Sequence, residues 1–141
     1  MHASGNAIIK ALRILALTVL IAGSCLVRHA ALAQQAGIKR TDLQRHDISI
    51  SGYEAVQARV DFAEGASFGR HTHPGEEIIY VLEGTIEYDI DGKPPVRLKT
   101  GDVLFVPAGT VHAARNVGSG NAAELGTYVV EKGKPLLTLV K

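Results

Sequence analysis

Hydrophobic and polar residues alternate with a period of two along much of the chain beyond Asp47. Tyr53 to Phe62 (YEAVQARVDF) alternates loosely, and so do Thr85 to Ile90 (TIEYDI) and Val96 to Lys99. Successive side chains of a strand point to opposite faces, so this is the pattern of half-buried strands. Turn residues bound each run. Glu64-Gly65 ends the first, Asp91-Gly92 is a hairpin signal, and Pro94-Pro95 excludes its two positions from a central strand. Gly101-Asp102 and Pro107-Ala108-Gly109 flank a short, wholly apolar strand, Val103 to Val106. After the turn Gly118-Ser119-Gly120-Asn121, Glu124 to Val130 and Leu136 to Val140 read as the last strands, split by Gly133 and Pro135. Nothing after residue 33 holds a 3.6-residue period. Many short strands with Gly-rich turns predict an all-β sandwich or barrel.

Two stretches depart from simple alternation. In Ile78 to Leu82, residues of Glu77's parity (Ile79, Val81) are expected to face inward, while Ile78, Tyr80 and Leu82 face outward and are also apolar. A strand apolar on both faces is normally covered on both. The chain has no helix to spare for cover, so either an N-terminal arm or a second protomer is expected there, and a homodimer through this sheet is the prediction. Gln34 to Asp47 is polar and aperiodic. It reads as that arm (34–49), ordered only if it pairs with something, and His46 within it reads as a surface residue.

The first 33 residues are set apart. Lys10 and Arg13 precede an uncharged apolar run, Ile14 to Val27, and Ala31-Leu32-Ala33 is a small-x-small cleavage site before Gln34. This is the layout of a secretory signal peptide over 1–33, which implies a periplasmic or secreted protein without stable membrane insertion after cleavage. A retained membrane anchor and a lipoprotein acylated at Cys25 are the competing readings. Removal of 1–33 takes Lys10, Arg13 and Arg28 and no acid, so 12 of the 15 basic residues remain against 14 acidic ones, a net charge near −2. No basic stripe is present to suggest nucleic-acid binding. The only cysteine, Cys25, and the only methionine, Met1, leave with the segment, so no disulfide is expected in the remaining domain.

The candidate chemistry lies in Gly65 to Gly84, GASFGRHTHPGEEIIYVLEG. His71, His73 and Glu77 share parity, and Pro74-Gly75 places them on two strands joined by a tight turn. His112 comes from a later strand, on which His112, Ala114 and Asn116 share a face. Three imidazoles and a carboxylate suit a divalent metal ion. Tyr53, Tyr88 and Tyr128 could line the site or pack the shell. Glu76 and Arg70 point away from it, and no dedicated second acid or base is evident.

Gly65 to Gly84 reads G-x5-H-x-H-x3-E-x6-G, and Gly101 to Asn116 reads G-x5-P-x-G-x2-H-x3-N. These resemble the two signature motifs of the cupin superfamily, in order and without departure. The resemblance implies a small jelly-roll (double-stranded β-helix) barrel over residues 50–141, with a divalent transition metal held by His71, His73, Glu77 and His112. Iron or manganese is favoured, and nickel, copper or zinc is compatible. The ligand set resembles that of cupin dioxygenases and oxalate-degrading cupins, which implies oxidoreductase chemistry on a small organic molecule, with Glu77 also able to take a proton. The alternatives are a non-catalytic module that binds a metal or small ligand in an apolar interior (Ile79, Val81, Val103, Phe105), and a metal-free isomerase. The glycines at 65, 84, 101 and 109 are expected where strands reverse.

Overall fold

The computed structural model describes residues 35–141; the proposed signal segment, 1–33, lies outside them. Ten strands follow in chain order: β1 (Ile38–Asp47), β2 (Tyr53–Phe62), β3 (Ser67–Thr72), β4 (Gly75–Glu83), β5 (Thr85–Ile90), β6 (Val96–Lys99), β7 (Val103–Val106), β8 (His112–Asn116), β9 (Ala122–Glu131) and β10 (Thr138–Leu139). They form two five-stranded antiparallel sheets, ordered β1-β2-β9-β4-β7 and β10-β3-β8-β5-β6. No helix occurs among the described residues. The inner faces meet as the two layers of a jelly-roll barrel.

The alternating patterns become the core. Val60 and Phe62 of β2 and Ile79 and Val81 of β4 pack against Ile86, Tyr88 and Ile90 of β5 and Ala114 of β8. Register lines these residues up. Val60, Glu124 and Val81 form one row across the first sheet, and Val56, Tyr128, Glu77 and Val106 form another. The polar arm finds its partner in the sheet edge: β1 pairs antiparallel with β2 along its whole length. That satisfies a row of backbone groups that an edge strand would leave open.

Two expectations are corrected. Val103 and Phe105 do not line the interior; they are 65% and 54% exposed. Glu77 pairs with Val106 and Ile79 with Leu104, so Leu104 and Val106 face inward and the other two face out. A wholly apolar strand has no parity of its own, and only its pairing register decides which face is buried. The last strand also shrinks from 136–140 to Thr138–Leu139, with Leu136 left to serve the site by its carbonyl instead. Ile78 and Tyr80 of β4 face outward as expected, but within the chain they are uncovered, 46% and 44% exposed, whereas Leu82 is half-buried. They stand opposite Phe105 and Val103, so the four form one apolar patch. The arm lies beyond β2 and β9 in the sheet order and does not cover it.

Turns hold the barrel shut at two points. Gly84 links β4 to β5 at φ +76°, and a Cβ there would lie 2.7 Å from the Asn121 carbonyl oxygen, so both conformation and space demand glycine. Asn116, 2% exposed, ties three segments together. Its Nδ2 donates to the carbonyls of Ala63 (3.0 Å), Gly120 (2.7 Å) and, at longer range, Phe62 (3.3 Å), and its Oδ1 accepts from the Gly118 amide at 3.0 Å. Asn116→Ala would orphan these backbone groups. At roughly 1–3 kcal/mol for an unsatisfied buried group, a loss of about 3 kcal/mol in unfolding free energy is expected by chemical denaturation. A loss below about 1 kcal/mol would remove Asn116 from this role.

Candidate metal centre

Three histidines from the second sheet and its exit turn converge between the sheets. His71 on β3 and His112 on β8 are direct partners in register, and His73 lies just past β3, ahead of β4. The ring centroids are 4.1 Å apart for His71 and His112, 4.9 Å for His71 and His73, and 5.3 Å for His73 and His112. One candidate ligand atom from each lies within 4.8 Å of the others, and all three residues are buried. Glu77 approaches from β4 of the opposite sheet. Its Oε2 is 3.0 Å from His112 Nε2 and 3.3 Å from His73 Nε2.

Shared parity alone does not build this arrangement. Between Phe68 and His71 the β3–β8 register slips: three steps along β3 match two along β8, from Ala114 to His112. This bulge lets Phe68 and His71 both face inward despite their odd spacing, and the Phe68 ring rests 4.7 Å from that of His71. The bulge also supplies a tether. His71 Nδ1 lies 2.7 Å from the carbonyl oxygen of Gly69, inside it.

The other rings are tethered in the same way. His73 Nδ1 is 2.6 Å from the Leu136 carbonyl oxygen, and His112 Nδ1 is 3.0 Å from that of Thr110. A carbonyl oxygen only accepts, so each Nδ1 carries the hydrogen and donates it. In the neutral ring the remaining lone pair is then on Nε2, free to coordinate. Glu77 Oε2 is an acceptor as well. Acceptors at 3.0 and 3.3 Å repel unless a cation or proton sits among them. The buried Nε2 of His73 and Oε2 of Glu77 have no hydrogen-bond partner among the described residues. Imidazole nitrogens with one carboxylate oxygen fit a divalent ion, and among the described residues no thiolate is present to mark a closed structural zinc site.

Electrostatics point the same way. Burial, followed by the neighbouring His112, pulls the His71 pKa down to about 4, so this imidazole is neutral at physiological pH. Burial works against the charge of Glu77, but His112 and His73 outweigh it and hold the carboxyl below the usual carboxylate range. Burial likewise opposes protonation of His112, and Glu77 overrides it, raising the His112 pKa.

The remaining candidates sort cleanly. His46 is exposed on β1 and takes no part. Arg70 is exposed and paired with Asp91 at 2.7 Å. Tyr53 is half-buried, whereas Tyr88 and Tyr128 are inside the barrel, the Tyr128 ring 4.8 Å from that of His73. Two further acids are buried: Glu54, ion-paired with Arg45 at 2.6 Å, and Glu124, which the sequence did not single out. Glu124 on β9 is 5% exposed, and its carboxylate accepts a hydrogen bond from the Tyr88 hydroxyl. Burial, then the charge of Glu77, raises its pKa to about 8, with the Tyr88 hydrogen bond opposing. Its parity with Tyr128 and Val130 was a usable signal, but Leu125 and Val129 make the opposite face of β9 apolar too.

The Cupin domain family profile matches residues 58–135. Among curated proteins, 51 residues are 45% identical to the dimethylsulfoniopropionate lyase DddQ of Ruegeria pomeroyi, covering 36% of this chain and 25% of that one. An oxalate-binding protein of Thermotoga maritima is 36% identical over 74 residues, 52% of this chain and 60% of its own. The chain thus spans a quarter to three fifths of the length of these relatives. Among solved structures, an oxalate oxidase superposes with a TM-score of 0.60 at 25% identity, covering 74% of this chain and 55% of that one. With a family profile spanning more than half its length, two antiparallel sheets and a buried three-histidine site, the chain belongs to the cupin family.

Proposed function

We propose that this cupin is an exported, metal-dependent oxidoreductase of the dioxygenase-like class, acting on a small organic molecule at a centre held by His71, His73, His112 and Glu77. The observation that carries the reading is the orientation of the rings: all three Nδ1 atoms are spent on backbone carbonyls, which leaves three Nε2 lone pairs and the Glu77 carboxylate with a cation to share. A divalent ion bound there supplies Lewis acidity and, as iron or manganese, a redox couple. The chain's own residues orient and exclude: Phe68 and Tyr128 wall the histidines with aromatic surface. Once loosened from the metal, Glu77 would be the carboxylate to take a proton at Oε2. The likeness to an oxalate oxidase and to an oxalate-binding protein makes small carboxylic acids the first substrates to try. The oxalate-binding relative also supports the second reading, a non-catalytic binding module.

The exported form would begin at Gln34, and we propose that it is a homodimer. The patch of Ile78, Tyr80, Val103 and Phe105 is apolar, faces solvent and includes the edge strand β7. Light scattering at micromolar concentration should give twice the protomer mass, and Tyr80→Glu with Phe105→Glu should give the monomer. A monomeric wild type would refute this pairing.

Elemental analysis of protein purified without a metal-affinity tag should find about one equivalent of a transition metal, lost in a His71→Ala, His73→Ala variant. No metal in either protein would end the reading. With Fe(II) or Mn(II) added, oxygen uptake across small acids, phenols and diketones separates enzyme from binding module.

Metal and protons compete for the same lone pairs. Each imidazole must be neutral to coordinate, and bound metal holds protons off, so displacement sets in below the ordinary imidazole pKa of about 6.5, while His71, whose pKa burial lowers to about 4, resists protonation to lower pH still. Metal content in equilibrium dialysis should therefore fall as pH drops below about 6.5 and be lost by about pH 4. Content unchanged at pH 4 would contradict the ligand assignment.

A further inference from the structure

The interior holds a second carboxyl that the centre does not use. Glu124 lies in the row of Val60 and Val81, both 4% exposed or less, among the apolar side chains of the core. Across the gap between the sheets it meets Tyr88 of β5, whose hydroxyl is its hydrogen-bond partner. On its own strand, Gly126 and Tyr128 follow on the same face. The Tyr128 hydroxyl lies over Gly126, 2.6 Å from where a Cβ would stand, so the missing side chain makes room for the phenol between Glu124 and Glu77. Arg40 ends the same row two strands away, with its guanidinium ion-paired to Asp42 at 2.7 Å. On β8 the inward residues beyond His112 are Ala114 and Asn116, neither of them charged.

A carboxylate in apolar surroundings with one neutral hydrogen-bond partner is costly to ionise. A second negative charge already stands in the same barrel on Glu77. Glu124 therefore holds a proton at neutral pH while the centre is empty of metal, in line with its raised pKa. The balance shifts when a divalent cation joins Glu77, because the local charge becomes more positive. From this geometry, and resting on the metal-centre reading above, we propose that Glu124 is a positioning residue coupled to the charge of the centre: it keeps one proton inside the barrel and releases it when a divalent cation binds. In that step the Glu124 O–H bond breaks, the electron pair stays on the carboxylate, and the proton passes to solvent. Tyr88 remains as the donor that steadies the anion. By linkage, metal affinity gains a pH dependence that belongs to no ligand.

The test uses the full exported chain and Zn(II) alone as the probe. In metal-free protein, infrared spectroscopy should show a protonated-carboxyl band at pH 6 that is absent in Glu124→Gln, an isosteric variant that keeps an acceptor for Tyr88. The band should fade as pH rises through about 8. In Glu77→Gln, with one charge removed, it should fade at lower pH. Calorimetry of Zn(II) binding at pH 7, in buffers of different ionisation enthalpy, should count close to one proton more released by wild type than by Glu124→Gln. No such band in wild type, or a band that survives in Glu124→Gln, overturns the proposal. Equal proton counts, or a fading pH unmoved in Glu77→Gln, overturn the coupling. Failure to bind Zn(II) with the band intact would instead strike at the metal-centre reading and take the coupling with it.

Discussion

Everything at this site depends on three hydrogen bonds from imidazole Nδ1 to backbone carbonyls. They settle which nitrogen carries the hydrogen, and so which one is left to coordinate. None of the three carbonyls belongs to a regular ladder position. One sits in the β3 bulge, one in the turn before β8, and one in the C-terminal segment that crosses the barrel end. The regular strands set the positions of the Cα atoms, and the irregular backbone sets the angle of each ring. A barrel of ideal strands would carry the same histidines without aiming them.

The second constraint is charge. The interior contains Glu77 and Glu124 and, between them, the phenols of Tyr88 and Tyr128, all largely removed from water. Ionisable groups so placed do not titrate independently. The histidines stabilise the negative charge of Glu77 against its burial, and burial first, with the charge of Glu77 added, suppresses ionisation of Glu124 and of both tyrosines. Gly126 belongs to the same arrangement, since any side chain there would displace the Tyr128 hydroxyl.

The outer surface divides along the first sheet. At one edge the polar arm joins as β1, held by backbone pairing and by the Arg45–Glu54 ion pair at 2.6 Å. At the other edge β4 and β7 present apolar residues to solvent. The arm completes the sheet by extending it, which leaves the apolar face open for a different partner.

Much of this was legible in the linear chain. Period-two alternation and glycine-bounded turns located most strands, because burial of one sheet face imposes that pattern whatever the topology. The cluster of His71, His73 and His112 was legible as well, since coordination chemistry restricts metal ligands to a few residue types and the motif spacing keeps them in order. Three things belong to the tertiary structure alone. The apolar run Val103 to Val106 could not declare its buried face, because register against β4 decides that. The β3 bulge left no parity signal, because it is defined by two strands far apart in sequence. Glu124 looked like any strand-borne acid, because its environment is built by Tyr88, Tyr128 and Glu77 from three strands. Sequence determines what a residue can do chemically, and the fold determines the dielectric and the neighbours in which it does it.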